Sequence, residues 1–495
     1  MAPACQRIDT PPPTRPSTVL RIGAPEYNFG DVDVGLQQIA RILSLESLTT
    51  LGTDGRALPS LADRWNWAAD GLALRLHIRS GIQTHTGRHV NAELIAQALT
   101  EAVTRPSNLA LYWSLADVSS IEATGGDELV VSLRRRSGAL PEDLDIPLAF
   151  GPNSDGTGPY KVVKNEATEV VMERFDSYYG GRPTILQVVA KPYPTLRTAW
   201  TSLLRGEIDL VTNVSPDALQ FVRSDSIRVT SHLRRYQYLV AFNSTRPPFV
   251  SPIVRRALNL AVDRTQLVSR SLDGHGVPAT GPLWPRHWAY DATIQPFMFD
   301  SRSAETLLES AGFPIARGIT SSGQRQVRFT FTCLLPANFS TLERMALELQ
   351  RQLYDIGVDM KFDAIPADEY SKRVREGRFE AVLIDMISGP TFGRPYIFWR
   401  SAKGFRGLNV FGYENVEAER LFDVLRESTN EGAIRSAAKR LQRVFLEDPP
   451  AMFLVWNERT RAISRQFTVT EETDRDPLYT LWRWTASQPP SATAQ

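Results

Sequence analysis

Cysteine is nearly absent from this chain: Cys5 and Cys333 are its only two among 495 residues. So sparse a set excludes a disulfide framework and a thiolate metal cluster. Cys333, inside the strand-forming run VRFTFTCLLP, reads as a small buried hydrophobe. Lysine is scarce as well, 7 residues against 49 arginines, yet 56 Lys+Arg face 55 Asp+Glu. Without a basic excess there is nothing to draw nucleic acid or acidic lipid. Long apolar runs are missing too. AMFLVW at 451–456 is about the longest, far short of the ~18 residues that span a bilayer. The sequence holds no GxxxxGKS/T, no GxSxG and no HExxH, so no phosphate loop, nucleophile elbow or zinc helix is signalled.

What is present is an ordinary globular composition, 42% hydrophobic and 22% charged, on a chain long enough for two or three domains. Residues 1–18 form a Pro-rich tether without periodicity or an apolar secretory segment. Within it Ala4-Cys5 looks like the end of a bacterial lipobox, which makes Cys5 a lipidation candidate. A strand is expected over 19–24, then the loop PEYNFGDVDVG, then helical spacing over 36–48. Asp70-Gly71 signals a hairpin turn flanked by alternating Leu72, Leu74, Leu76 and Ile78, and Asn91 is placed to cap a helix from Ala92. In 239–264 a strand gives way to Pro247-Pro248. A helix capped by Ser251 follows, with Pro252 first and Arg255 and Arg256 on its outer face.

Three of the six histidines, His77, His85 and His89, lie close together, and His85 and His89 have the i,i+4 spacing of a helical metal pair. Thr86-Gly87-Arg88 between them is turn-like and removes that geometry. Asp31 and Asp33 open like a calcium loop, but no Glu follows at its twelfth position. Glu471-Glu472 reads as a solvated face. No catalytic residue, metal or cofactor is expected.

The literal strings carry more. YLVAFNSTRPPFVSPIVRRALNLAVDR resembles the "FN…PPF.D..VRRAL..AIDR" signature of family 5 extracellular solute-binding proteins. In the same order follow the blocks at 58–98, DGTGPY at 155–160, YYGGRP at 178–183, LLRGEID at 203–209, ALELQRQLYDIGVDM at 346–360 and 435–450. The resemblance spans about 19 to 460. It implies an α/β, periplasmic-binding-protein-like fold of class II, with two large lobes joined by hinge strands and a smaller inserted lobe. Mapped here, the first lobe is 19–45, 158–242 and 471–495, the inserted lobe 46–157 and the third lobe 243–470. The strand 236–243 becomes a hinge crossing, and a return strand is expected near 481–484.

The family's function implies capture of a small polar solute (peptide-like, opine or oligosaccharide) by hinge closure, and its delivery to ABC importer permease subunits. A monomer on the periplasmic or extracellular face is expected, and not an enzyme. A sensor or chemoreceptor component of the same fold, or less readily a cleft hydrolase, is the alternative. The resemblance places solute contacts at Glu26, Tyr27, Asn28 and Phe29 after the first strand, at Tyr112 and Trp113, and at Asp385, Met386, Ile387, Ser388, Gly389, Phe392 and Arg394. One departure stands out. Peptide-binding members carry "GW..D" in this last strand, the Asp pairing with the peptide amine. Here Asp385, Met386 and Gly389 stand at the Gly, Trp and Asp, so the amine anchor is missing.

Overall fold

The computed structural model of the chain describes residues 18–25, 35–151, 155–222, 224–294, 297–315, 327–401, 408–472 and 475–486. Among these, an eleven-stranded mixed sheet runs the length of the molecule. From one edge its order is Val358–Ile365, Phe329–Pro336, Ala381–Ile387, Ile227–Phe242, Ala451–Ser464, Leu210–Val211, Val19–Pro25, Gln187–Tyr193, Glu169–Arg174 and Tyr160–Glu166. Val277–Pro278 pairs off this path with Ala451–Ser464.

Two long strands hold the halves together. Ile227–Phe242 has 16 residues and Ala451–Ser464 has 14. They pair antiparallel from Ile227↔Ser464 to Ala241↔Ala451, with register shifts between Leu233 and Gln237 and between Tyr238 and Leu239. The extra residues of such a bulge bend the strand and re-aim side chains. Here those residues are Arg234, Arg235 and Tyr236. The expected crossing at 236–243 is therefore only the second half of a longer strand.

Each half has its own apolar core. Beyond the bulge, Phe242 stacks on Phe249 at 4.6 Å, and Leu258, Leu349 and Leu353 are fully buried beside Cys333. Burial pushes the Cys333 thiol up to about 12, so it packs as the hydrophobe expected. The near half buries Leu20, Ile22, Tyr160 and Trp484. Residues 477–483 near the C-terminus are a 3-10 helix, Pro477–Arg483, and not a return strand. Pro477 at its start and the Asp476 side chain accepting from Leu478 N favour that turn. The short strand comes just after, Thr485–Ala486 against Phe467–Thr468.

A separate four-stranded antiparallel sheet, ordered Ala62–Trp67, Ala73–Ile78, Glu128–Leu133, Val118–Gly125, sits beside the large one. The Asp70-Gly71 turn forms its first hairpin: Gly71 takes φ 70°, and Leu72 N donates to Asp70 Oδ1 at 2.9 Å. Leu74, Leu76 and Ile78 alternate inward and are fully buried. Against them packs the helix Ala92–Thr104, capped by the Asn91 side chain accepting from Leu94 N at 2.9 Å. Each such buried Leu or Ile contributes about 1.5–3 kcal/mol.

The helix Pro252–Leu260 departs from expectation at Arg255, which is buried where the outer face was expected. Its guanidinium donates to the carbonyls of Phe249 and Pro449 and to Asp448. Fixing a buried cation takes such a full set of acceptors, and periodicity does not reveal it. Ser251 makes no side-chain cap bond.

Candidate functional site

The strand Ala381–Ile387 and the loop after it lie directly against the bulge of Ile227–Phe242. Asp385 pairs with Tyr238, Met386 with Gln237 and Ile387 with Tyr236. Ser388 N and Gly389 N both donate to Arg235 O, at 2.9 and 3.1 Å. On the other side, the four-stranded unit presents Tyr112, Trp113 and the segment around Asp145. Three parts of the chain thus converge at one junction.

Glu26, Tyr27, Asn28 and Phe29 lie outside the described residues, as do Asp31, Asp33 and Cys5. Asp385 is at the junction, half-buried, and accepts from Arg234 at 3.1 Å and from Asn457 Nδ2 at 3.3 Å. Met386 is 4% exposed and belongs to the core. Ile387 is half-buried and Ser388 buried. Gly389 runs so close to Trp284 that a Cβ there would lie 2.8 Å from the indole. Phe392 is buried against the His287 ring, centroids 4.1 Å apart. Arg394 donates to Leu111 O and lies 5.2 Å over the Tyr112 ring.

Trp113 is 2% exposed. It packs edge-on against Tyr396 at 4.5 Å, plugged into the opposite wall. Beside it Arg426, 1% exposed, donates to Tyr396 OH at 2.7 Å, to Trp113 O at 3.0 Å and to Asp117 at 2.5 Å. Arg400, the other arginine near this strand, pairs with Asp423 at 3.2 Å.

Sequence reasoning missed Arg234, Arg235, Asp145 and Arg426. A signal existed for the first two, since two adjacent arginines interrupt an otherwise apolar strand former, HLRRYQYLVAF. Arg234 lies 4.2 Å over the Tyr236 ring, a cation–π contact. Arg235 reaches Asp145 at 3.7 Å. Burial raises the Asp145 carboxyl to about 6, although Arg235, Ser47, Arg475 and Arg394 pull it down. Burial likewise raises Asp143 to about 6, against hydrogen bonds from Ser114 N and Oγ. The Tyr112 hydroxyl is raised by burial and by Asp145 and Asp143, and lowered by Arg394 and Arg235.

Among the described residues no group of three His, Cys, Asp or Glu is placed to hold a metal ion. The His85–His89 segment is the turn expected: Gly87 takes φ 84°, and His85 Nε2 bonds Gly158 O at 2.9 Å. No helix among the described residues is long and apolar enough to cross a membrane.

The family model for bacterial extracellular solute-binding proteins, family 5, middle region, matches residues 56–405. The chain belongs to that family. Family 5 proteins bind solutes for ABC importers, and the fold, the ordered motifs and the convergent junction agree with that assignment. The oligopeptide-binding protein AppA of Bacillus subtilis is 23% identical over 453 residues, 86% of this chain and 83% of that protein. The glutathione-binding protein GsiB of Pectobacterium atrosepticum is 26% identical over 471 residues, 88% of each. Among solved structures, the substrate-binding protein CtaP of Listeria monocytogenes superposes with a TM-score of 0.82 at 18% identity, over 95% of this chain and 99% of that one. The fold expectation thus holds, down to a large sheet with an inserted unit.

Proposed function

We propose that the solute of this family 5 protein is small and polar and is held at the junction of the bulged strand, the 385–394 segment and the four-stranded unit. In this reading 46–157 moves as one lobe and 243–470 as another. The remaining first lobe includes residues 26–34, and the paired strands Ile227–Phe242 and Ala451–Ser464 are the hinge. A solute that touches both sides favours the closed arrangement by its differential affinity. The protein acts as a binder and not an enzyme, a monomer on the extracytoplasmic side, with Cys5 the candidate lipid anchor.

The observation that carries the reading is the convergence of Arg235, Asp385, Arg394, Tyr112 and Asp145, polar groups from three segments, on one junction. Peptides and glutathione, the ligands in the relatives' names, are the first solutes to try. Because Gly389 carries no counter-ion and Trp284 fills the space beside it, a free peptide amine has no anchor there. N-acetylation should therefore leave peptide affinity unchanged, as read by isothermal titration. Small-angle scattering should show a smaller radius of gyration at saturation with a bound solute. An unchanged radius would refute hinge closure.

A further inference from the structure

The arginines of the junction differ in how much of their bonding capacity is used. A guanidinium carries five N–H donors in a fixed fork. Arg426 gives three hydrogen bonds, to Tyr396 OH, Trp113 O and Asp117, its Nε making none among the described residues, and Arg461, away from the junction, gives three to Asp476 and Thr212 O. Arg235 makes no side-chain hydrogen bond among the described residues. Among the described residues its one charged contact is the 3.7 Å approach to Asp145, and its side chain is 40% exposed. Among the described residues Arg394 gives a single hydrogen bond, to Leu111 O.

These two half-used forks share their surroundings. Arg235 lies 3.7 Å from Asp145, the Tyr112 hydroxyl 3.4 Å from Asp145 O, and Arg394 5.2 Å over the Tyr112 ring, so contacts link the four groups in sequence. Among the described residues the Tyr112 hydroxyl makes only a long 3.4 Å contact to Asp145 O. Each group is also held from behind. Arg235 sits in the bulge with its carbonyl bound by Ser388 and Gly389, and Arg394 lies over Tyr112. Two carboxylates, Asp145 and Asp143, face these cations; Asp143 is taken up by Ser114 N and Oγ, and both guanidiniums keep N–H donors that neither carboxylate uses among the described residues.

We propose that Arg235 and Arg394, with the Tyr112 hydroxyl as a third donor, bind a carboxylate of the solute. The captured compound is then an organic acid or an acid-bearing amino-acid derivative. The inference rests on the solute-capture reading and narrows it. A planar carboxylate matches the guanidinium fork with two parallel hydrogen bonds. A phosphate dianion would bring twice the charge against Asp145, so it fits less well. Such a carboxylate would tie the bulged strand and the 385–394 segment to the four-stranded unit.

The test uses the full chain, incubated with a mixture of small carboxylic acids (N-acetylglutamate and N-acetylaspartate among them), their matched amides and inorganic phosphate. Native mass spectrometry reads what is retained, and isothermal titration measures each retained species. Acids should be retained and the matched amides should bind at least tenfold more weakly. Arg235→Gln and Arg394→Gln should each weaken acid binding at least tenfold while the melting temperature holds. Arg440→Gln, on a remote exposed ion pair, should change nothing. Retention of amides or phosphate in preference to acids overturns the proposal and leaves solute capture standing. Full acid binding by both variants does the same. Retention of nothing at all counts against both.

Discussion

Single side chains at the seams of this molecule carry protonation states that burial has moved. Glu46 accepts from Tyr178 and Tyr179 at 3.1 and 2.9 Å, joining the four-stranded unit to the near half of the large sheet. Burial raises its carboxyl to about 7 against those bonds. A raised carboxyl holds its proton in the folded state while the unfolded chain has lost it. Its contribution is therefore greatest below about pH 4.5, falls as pH rises to about 7, and is flat above that. His232 and His287, held neutral by burial with pKa about 3, run the other way between about 3 and 6.5. The clean measurement is then the difference between wild type and Glu46→Gln in chemical denaturation at pH 5 and pH 8. The variant should gain on the order of 1–3 kcal/mol at pH 8 relative to pH 5. Gly389→Asp would restore a carboxylate at the family's amine-anchor position. With Trp284 only 2.8 Å from its Cβ, it should cost about 1–3 kcal/mol of stability, read by thermal melting, and gain no peptide affinity.

Elements formed by local chemistry were legible and those formed by long-range contact were not. The Asp70-Gly71 hairpin and the Asn91-capped helix follow from residues within a few positions of one another. Asn91→Ala should cost about 1 kcal/mol in denaturant melts, because one first-turn N–H loses its acceptor. The helix Leu196–Leu204 likewise ends locally, just before Gly206 at φ 68°. By contrast, the outward placement of Arg255 failed. Its acceptors at 448–449 are almost two hundred residues away, and no periodicity encodes them. The return strand near 481–484 was expected from the resemblance alone; there the chain forms a 3-10 helix whose Leu478 and Leu481 bury into the near core. At the proposed site, the family strings had pointed to Asp385, Tyr112 and Arg394, which the fold brings to the junction. Arg235 went unnoticed because its position depends on a bulge, and a bulge is a property of two paired strands.

At the scale of the whole molecule, the four-stranded unit clasps the far half of the large sheet through contacts distinct from the proposed carboxylate subsite. Trp113 is sunk against Tyr396, Arg426 binds Asp117, and Arg56 pairs with Glu431 at 2.6 Å. Gly138 approaches Ser428 so closely that a Cβ would lie 2.1 Å from its carbonyl oxygen, so only glycine lets these backbones meet. Under the proposed hinge closure, a clasp of this kind would set the fraction of molecules competent to hold solute. The apparent dissociation constant is the intrinsic one divided by that fraction. Arg426→Met keeps the apolar stem among the rings and removes the ion pair. It should therefore raise the apparent constant by the same factor, on the order of tenfold, for every solute whatever its charge. The Arg235 and Arg394 variants, by contrast, should act on acids alone. Isothermal titration with one acidic and one neutral ligand separates the two patterns, and scattering should show a larger mean radius for Arg426→Met at sub-saturating solute. Equal affinities and equal radii in variant and wild type would mean that the clasp is indifferent to closure and that the strand pair alone sets it.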